Sequence, residues 1–252
     1  MVLDIMPYKV SVSVRSDIGL VRPNNEDAFE QVVEDNFFVV ADGMGGHKAG
    51  EVASKQAVTN ACRLFLEKLH PIAEVTLEYA QQTLVAIIKE INTIIYKMAA
   101  GKEALRGMGT TLCCLLVHPK GLVYSHVGDS RIYRLRDGKL KQLTKDHSLL
   151  RELLELGQLN EQQADEFAYK NIITKAIGTE PCIEPVAEVD TIQDGDVLLI
   201  CTDGLTDLLS REEIEQVLKK TPARDRADRL IQIAKQRGGH DNITVAIVKI
   251  ES

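Results

Sequence analysis

The sequence predicts an α+β protein built on antiparallel sheets. Three observations carry that reading. Apolar runs with strand character follow one another through short turns between Thr110 and Leu140; two long helical patterns sit together before them; and a second strand group, two helices and a closing strand come after. Strands therefore arrive in hairpin-linked runs and do not alternate singly with helices as parallel βαβ units do.

Taken in order, "YKVSVSVRS" alternates at Val10, Val12 and Val14, the pattern of a half-buried strand, and "NFFVVA" is a more buried one. From Ala49 to Leu69 the apolar spacing becomes helical. A second long helix follows, with Leu77, Leu84, Ile87, Ile91, Ile95 and Met98 on one face. "AAGKEALRGMG" is the loop that ends it. "TTLCCLLVH", "GLVYSHV" and "RIYRLR" are strands parted by "PKG" and "GDS", and "RDGKL" is a hairpin turn. "HSLLRELLELGQL" and "NEQQADEF" are expected to be helical. "CIEPVAEVDTI" and "DVLLICTD" are strands around the turn "QDGD". "SREEIEQVLKK" and "ARDRADRLIQIAKQR" are helices, and "NITVAIVKI" closes the chain as an alternating strand. No linker, repeat or low-complexity stretch divides residues 1–252, which read as a single domain.

Composition narrows the function classes. The 252 residues are 44% hydrophobic, enough to bury a substantial core. No run of about 18 apolar residues exists, and the start lacks a basic region followed by a long apolar one, so neither a membrane span nor a signal peptide is expected. Five cysteines, an odd count with no CxxC pair, argue against a disulfide framework or zinc ribbon and for a reduced, cytoplasmic protein. A net charge of -7 argues against a nucleic-acid surface. It also means that an anionic substrate would need cations supplied locally, which bound metal ions would do.

Acids recur at strand ends. Asp42 follows "FFVVA", Asp129 follows "VYSHVG", Asp203 follows "DVLLICT", and Asp241 precedes "NITVAIV"; Gly43, Gly128, Gly204 and Gly239 stand beside or near them. Glu26 and Asp27 form a further cluster. Any one Asp-Gly pair is an ordinary turn signal. Jointly, antiparallel strands in two packed sheets can bring several ends to one rim. Acids meeting there repel by several kcal/mol at about 4 Å and low effective dielectric unless a cation joins them. Oxygen ligands alone favour a hard ion, Mg²⁺ or Mn²⁺, over zinc. Glycine at position 43 would let a backbone carbonyl come close to such an ion.

The motifs "SDIGLVRPNNEDA", "VVADGMGGHKAGEVAS", "GMGTTL", "HVGDSRIYRLRDGKLKQLTKDHS", "ITKAIG", "LLICTDGLTDLL" and "GGHDNITVAIV" resemble, in order, those of the metal-dependent protein phosphatases, the phosphatase 2C family, and above all its bacterial serine/threonine phosphatases. The resemblance runs from about Val10 to Ile250. It implies a four-layer αββα sandwich, two packed antiparallel sheets flanked by helices. It further implies hydrolysis of phosphoserine and phosphothreonine by a water bridged between two Mn²⁺ or Mg²⁺ ions, without a covalent phosphoenzyme. By motif position Asp42 bridges both ions, the Gly43 carbonyl binds one, and Asp203 and Asp241 hold the other. Glu26 and Asp27 contact metal-bound waters, and Arg22 clamps the phosphate. Asp129 with Asp203 matches the pair that binds a third, looser ion; capping of the "VGDSR" hairpin is the alternative role for Asp129.

Some positions depart from the family pattern. A histidine often follows the DG pair in eukaryotic relatives; here Met44 does, and His47 lies further on, which argues against His47 as general acid. His126, His147 and His240 are read as structural. Lys175 replaces a family arginine, keeping charge but losing the planar fork. Residues 147–175 correspond to the flap beside the active site, or else form a plain helical insert. The implied partners are phosphorylated proteins made by a serine/threonine kinase of the same cell, acted on by a monomer. A non-catalytic family member and a simple cation-binding protein are the rival readings; the former is disfavoured by retention of Asp42, Gly43, Asp203, Asp241 and Arg22.

Overall fold

The computed structural model describes residues 8–252 except 46–48, 73, 161–162, 165–166, 168 and 170–171. Two antiparallel sheets organise it. The first runs β1 (Lys9–Asp17), β11 (Ile243–Glu251), β10 (Val197–Cys201), β7 (Arg131–Arg136) and β8 (Lys139–Gln142) from edge to edge. The second runs β2 (Asp27–Val32), β3 (Phe37–Met44), β5 (Leu112–His118), β6 (Gly121–Val127) and β9 (Ala187–Asp190), with the two-residue β4 (Gly109–Thr110) pairing the end of β3. The helices are α1 (Ala49–Lys68), α2 (Leu77–Gly101), α3 (Leu149–Glu155), α4 (Asp203–Thr206), α5 (Arg211–Lys220) and α6 (Arg226–Gln236).

The layers follow from strand parity. In β3, Phe37, Val39 and Ala41 point to one face and pack with α1 and α2, while Phe38 and Val40 point to the other. In β10, Val197, Leu199 and Cys201 pack with α5 and α6, while Leu198 and Ile200 meet Phe38, Val40 and Leu115 between the sheets. Both faces of the central strands are buried, which is why they read as continuous apolar runs instead of alternating. The result is helices, sheet, sheet, helices: the expected αββα sandwich.

Local signals account for most boundaries. Thr76 caps α2 by accepting from the Tyr79 amide at 3.1 Å. Ser210 and Glu213 form a reciprocal capping box at the start of α5. The β7–β8 turn places Asp137 at φ 49° and Gly138 at φ 73°, the left-handed pair that a tight hairpin requires. Alanines at 53, 57 and 61 let α1 lie close to the sheet, and Phe65 stacks on Phe37 with centroids 4.3 Å apart.

Three sequence expectations need correction. Strand β2 was not anticipated; as an edge strand with a mixed burial pattern, "DAFEQV" carries no clean alternation. β9 begins only at Ala187, because Pro185 cannot donate to a ladder. α3 stops at Glu155, and Gly157 takes φ 67° just beyond it. Part of the helix expected in "NEQQADEF", and His47, lie outside the described residues.

Leu115 is fully buried between the sheets. Leu115→Ala is expected to lower unfolding stability by about 2–5 kcal/mol in a denaturant titration. A change below 1 kcal/mol would mean that the inter-sheet layer is not closely packed.

Candidate metal centre

The two sheets deliver acids to one rim. From the second sheet, β3 carries Asp42 near its end and β2 begins at Asp27. These two stand directly opposite each other in the β2–β3 ladder. From the first sheet, β10 ends at Cys201 and the chain passes through Thr202 into Asp203, the first residue of α4; its neighbour β11 starts just after Asp241. Asp129 lies in the turn where the chain leaves β6 of one sheet for β7 of the other.

A cleft of about 330 Å³ opens on this rim, lined among others by Arg22, Glu26, Asp42, Gly43, Asp203 and Asp241. Six of the eight expected site residues thus share one cavity. Asp27 and Asp129 are buried and are not among its lining residues, at 8% and 7% exposure. Arg22 enters from the loop before β2 and donates from Nη2 to Asp241 Oδ2 at 2.6 Å, with half of its side chain still exposed.

Neutral side chains hold these acids in place, and the sequence reading missed them. Thr111 Oγ1 accepts from the Asp42 amide at 2.9 Å and bonds Ser130 Oγ at 2.7 Å, linking Asp42 to the turn that carries Asp129. Thr110 Oγ1 donates to the Asp42 carbonyl at 2.8 Å. Thr202 Oγ1 donates to Asp27 Oδ2 at 3.0 Å. Asn242 accepts from the Glu26 amide at 2.7 Å and donates to the carbonyls of Ile18 and Asn24, both at 3.0 Å. It therefore ties the Arg22 loop to the start of β11. The one available signal was Asn242 itself, standing between Asp241 and an apolar strand.

Glycine at position 43 has a steric cause. A Cβ there would lie 2.1 Å from the Gly50 carbonyl oxygen and 2.8 Å from that of Glu26. The Gly43 amide also donates to Glu26 O at 3.1 Å. The site needs backbone to pass against backbone where β3 meets α1.

The electrostatics are those of crowded, dehydrated anions. Burial pushes Asp42 well above the ordinary carboxylate range, and the charges of Asp27, Asp203, Asp241 and Asp129 push it further. Burial and then Asp129, Asp207 and Asp241 do the same to Asp203. Asp27 rises to about 7 and Asp129 to about 6, each chiefly through burial. Oδ1 of Asp27, of Asp129 and of Asp203 is buried without a hydrogen-bond partner. Acceptor oxygens of this kind, with negative charge around them, suit a hard cation. Among the described residues no three acidic, histidine or cysteine side chains close on one point as a complete cage. A Mg²⁺-like ion, which keeps several waters, does not require one.

Two of the histidines, His126 and His147, are tied to the backbone and to each other. His126 Nε2 bonds the Lys145 carbonyl at 2.7 Å and its ring stacks on His147, whose Nδ1 receives the Gly128 amide at 3.2 Å. Burial lowers His147 to about 4, so it stays neutral. Lys175 is exposed. From the 147–175 segment, Ile173 reaches the cleft wall.

Comparison with known proteins agrees with this arrangement. The family model described as Protein phosphatase 2C matches residues 22–244. This chain belongs to the protein phosphatase 2C family. The serine/threonine phosphatase stp of Listeria innocua is 40% identical over 239 residues, 93% of this chain and 94% of that protein. The crystal structure of the Mycobacterium tuberculosis serine/threonine phosphatase PstP/Ppp superposes with a TM-score of 0.87 at 35% identity, covering 96% of this chain and 99% of that one. A PstP catalytic domain in complex with two manganese ions gives a TM-score of 0.84 at 34% identity, with 96% and 99% covered.

The raised carboxylates set a pH dependence for this phosphatase 2C relative. Asp27, Asp42 and Asp203 hold protons in the folded state at pH values where the unfolded chain, near 3.9, has lost them. Stability of the chelated protein should therefore fall as pH rises from 6.5 to 8, through the value of about 7 at which Asp27 gives up its proton. That window lies above pH 6.5, below which the buried neutral histidines would begin to oppose folding. Thermal unfolding in chelator should give a lower Tm at pH 8 than at pH 6.5, with Mn²⁺ raising Tm more at the higher pH. A Tm that climbs with pH in chelator would contradict the assignment.

Proposed function

We propose that this chain is a Mn²⁺- or Mg²⁺-dependent protein phosphatase that hydrolyses phosphoserine and phosphothreonine in phosphorylated proteins. The observation that carries the reading is the cleft in which the half-buried carboxylates Asp42 and Asp203, both with raised pKa values, stand beside a half-exposed arginine. Asp42, the Gly43 carbonyl, Asp203 and Asp241 would hold two ions, and Asp129 with Asp203 a third. The ions, when bound, would supply Lewis-acid activation of water and neutralise phosphate charge.

The chain's own groups do the rest. Arg22 binds the phosphate oxygens through its planar fork and releases Asp241 as it does so. Glu26, whose carboxylate lies against Gly50, accepts a hydrogen bond from water in the cleft and orients it, while Asp27, buried beside the cleft and held by Thr202, would offer its partnerless Oδ1 to water held by a bound ion. Thr111, Thr202 and Asn242 keep the acids fixed, so little reorganisation is needed during reaction. The whole of 1–252 acts as one catalytic domain and as a monomer. Among the described residues no helix is long and apolar enough to cross a membrane. The working place is the cytoplasm, opposite a serine/threonine kinase.

Chelation is expected to abolish hydrolysis of a phosphothreonine peptide, and added Mn²⁺ or Mg²⁺ to restore it. Asp42→Asn should lower kcat by about a hundredfold or more. It should leave metal-free stability equal or higher, since it removes a buried charge among like charges. Full turnover in that variant, or undiminished activity after exhaustive metal removal, would refute the centre.

Arg22→Ala should raise KM for the phosphopeptide by roughly tenfold, with a smaller effect on kcat. Steady-state kinetics with KM unchanged would remove Arg22 from phosphate binding.

A further inference from the structure

Leu20 and Val21 are 62% and 65% exposed, yet they immediately precede Arg22, which lines the cleft. Their loop is tightly held. The Gly19 amide donates to Asp17 Oδ1 at 2.9 Å, and the Leu20 amide donates to the Gly239 carbonyl at 2.7 Å. Asn242 grips the carbonyls of Ile18 and Asn24. Gly19 takes φ 80°, and a Cβ there would lie 2.2 Å from the Asp241 carbonyl oxygen, so the backbone at that point is fixed against its neighbour. A loop pinned at both ends holds two adjacent apolar side chains out in water. Two adjacent apolar side chains held outward beside a cleft are placed to meet whatever enters it. The same cleft has Ile173 on its wall, and the neighbouring Ile172 is 46% exposed. That segment is fixed too: Ser148 and Ile173 form a β-bridge, and the Leu149 amide donates to the Ile172 carbonyl at 2.9 Å.

We propose that Leu20 and Val21 form an apolar ledge that docks the polypeptide flanking the phosphorylated residue, and that the enzyme prefers substrates with an apolar side chain within two positions of it. This rests on the phosphatase reading above. Continuity with the cleft supports the choice of occupant. Val21 is bonded to Arg22, so a phosphate held by Arg22 sets the substrate backbone within a residue or two of the ledge, at about 3.3–3.6 Å per extended residue. Charge supports the class of side chain. The ledge presents two uncharged side chains, against which an apolar neighbour is buried favourably while a charged one would lose its hydration.

The test uses phosphothreonine peptides in Mn²⁺, with leucine placed singly at each position from two before to two after the phosphothreonine, against an all-alanine parent. In the wild-type protein at least one leucine position should raise kcat/KM about five- to tenfold, mostly through KM. Leu20→Ser with Val21→Ser should erase that ratio, leaving para-nitrophenyl phosphate turnover and Tm unchanged. Val21→Lys should shift the preference towards an acidic flanking residue. No leucine preference in the wild type, or the same preference in the double serine variant, would overturn the ledge. Loss of a concentration-dependent dimer in that variant, with peptide preference intact, would assign the ledge to a second copy of this chain and equally overturn the proposal. A wild-type protein inactive on every phosphate ester would sink the phosphatase reading first, a failure visible before any variant is read.

Discussion

The withdrawal of carboxylates from water at one rim governs this molecule, with Asp27 and Asp42 at its centre. They face each other across one rung of the β2–β3 ladder, Asp27 buried and Asp42 half-buried, with Asp203, Asp241 and Asp129 close enough to add their fields. Like charges opposite one another destabilise a sheet, and burial multiplies the effect. A fold that depended on stability alone would place apolar side chains there. Under the proposed metal-binding role, acids at that rung would receive a cation, and protons and metal ions would compete for the same oxygens.

Such a centre must be rigid before the ion arrives. The αββα sandwich supplies this through its three separately packed apolar layers, which fix the strands from both faces. At the rim, hydroxyls and one amide take over. Thr111 and Ser130 couple the end of β3 to the crossing between sheets, Thr202 couples β10 to Asp27, and Asn242 fastens the Arg22 loop to β11. These neutral groups satisfy the backbone without adding charge, so the carboxylates keep their negative potential. The same fastening holds Leu20 and Val21 outward, which ties the edge of the cleft to its floor.

Much of this was legible in the residues. The central strands announced themselves as unbroken apolar runs because both of their faces are covered, and α2 by its face of isoleucines. Asp42, Asp203 and Asp241 stood out because an acid at the mouth of such a run is poorly explained by turn chemistry when it recurs. β2 was not legible, since an edge strand covered unevenly leaves no period to read. Nor were Thr110, Thr111, Ser130 and Thr202: hydroxyl residues serve so many local hydrogen bonds that their sequence positions do not distinguish a support from a turn. The steric demand at Gly43 was not legible either, for it comes from the Gly50 and Glu26 backbones, which leave no room for a side chain there.

The sequence by itself determined most of the strands and helices, β2 excepted, that the sheets are antiparallel, and which acids stand at strand ends. Those properties depend on periodicity and on residues adjacent in the chain. Tertiary structure alone decided that acids from two different sheets share one cleft, that Asp27 faces Asp42, and that Arg22 meets Asp241 across more than two hundred residues. Those depend on strand register and on how one sheet stacks on the other, which distant contacts fix and local pattern does not record.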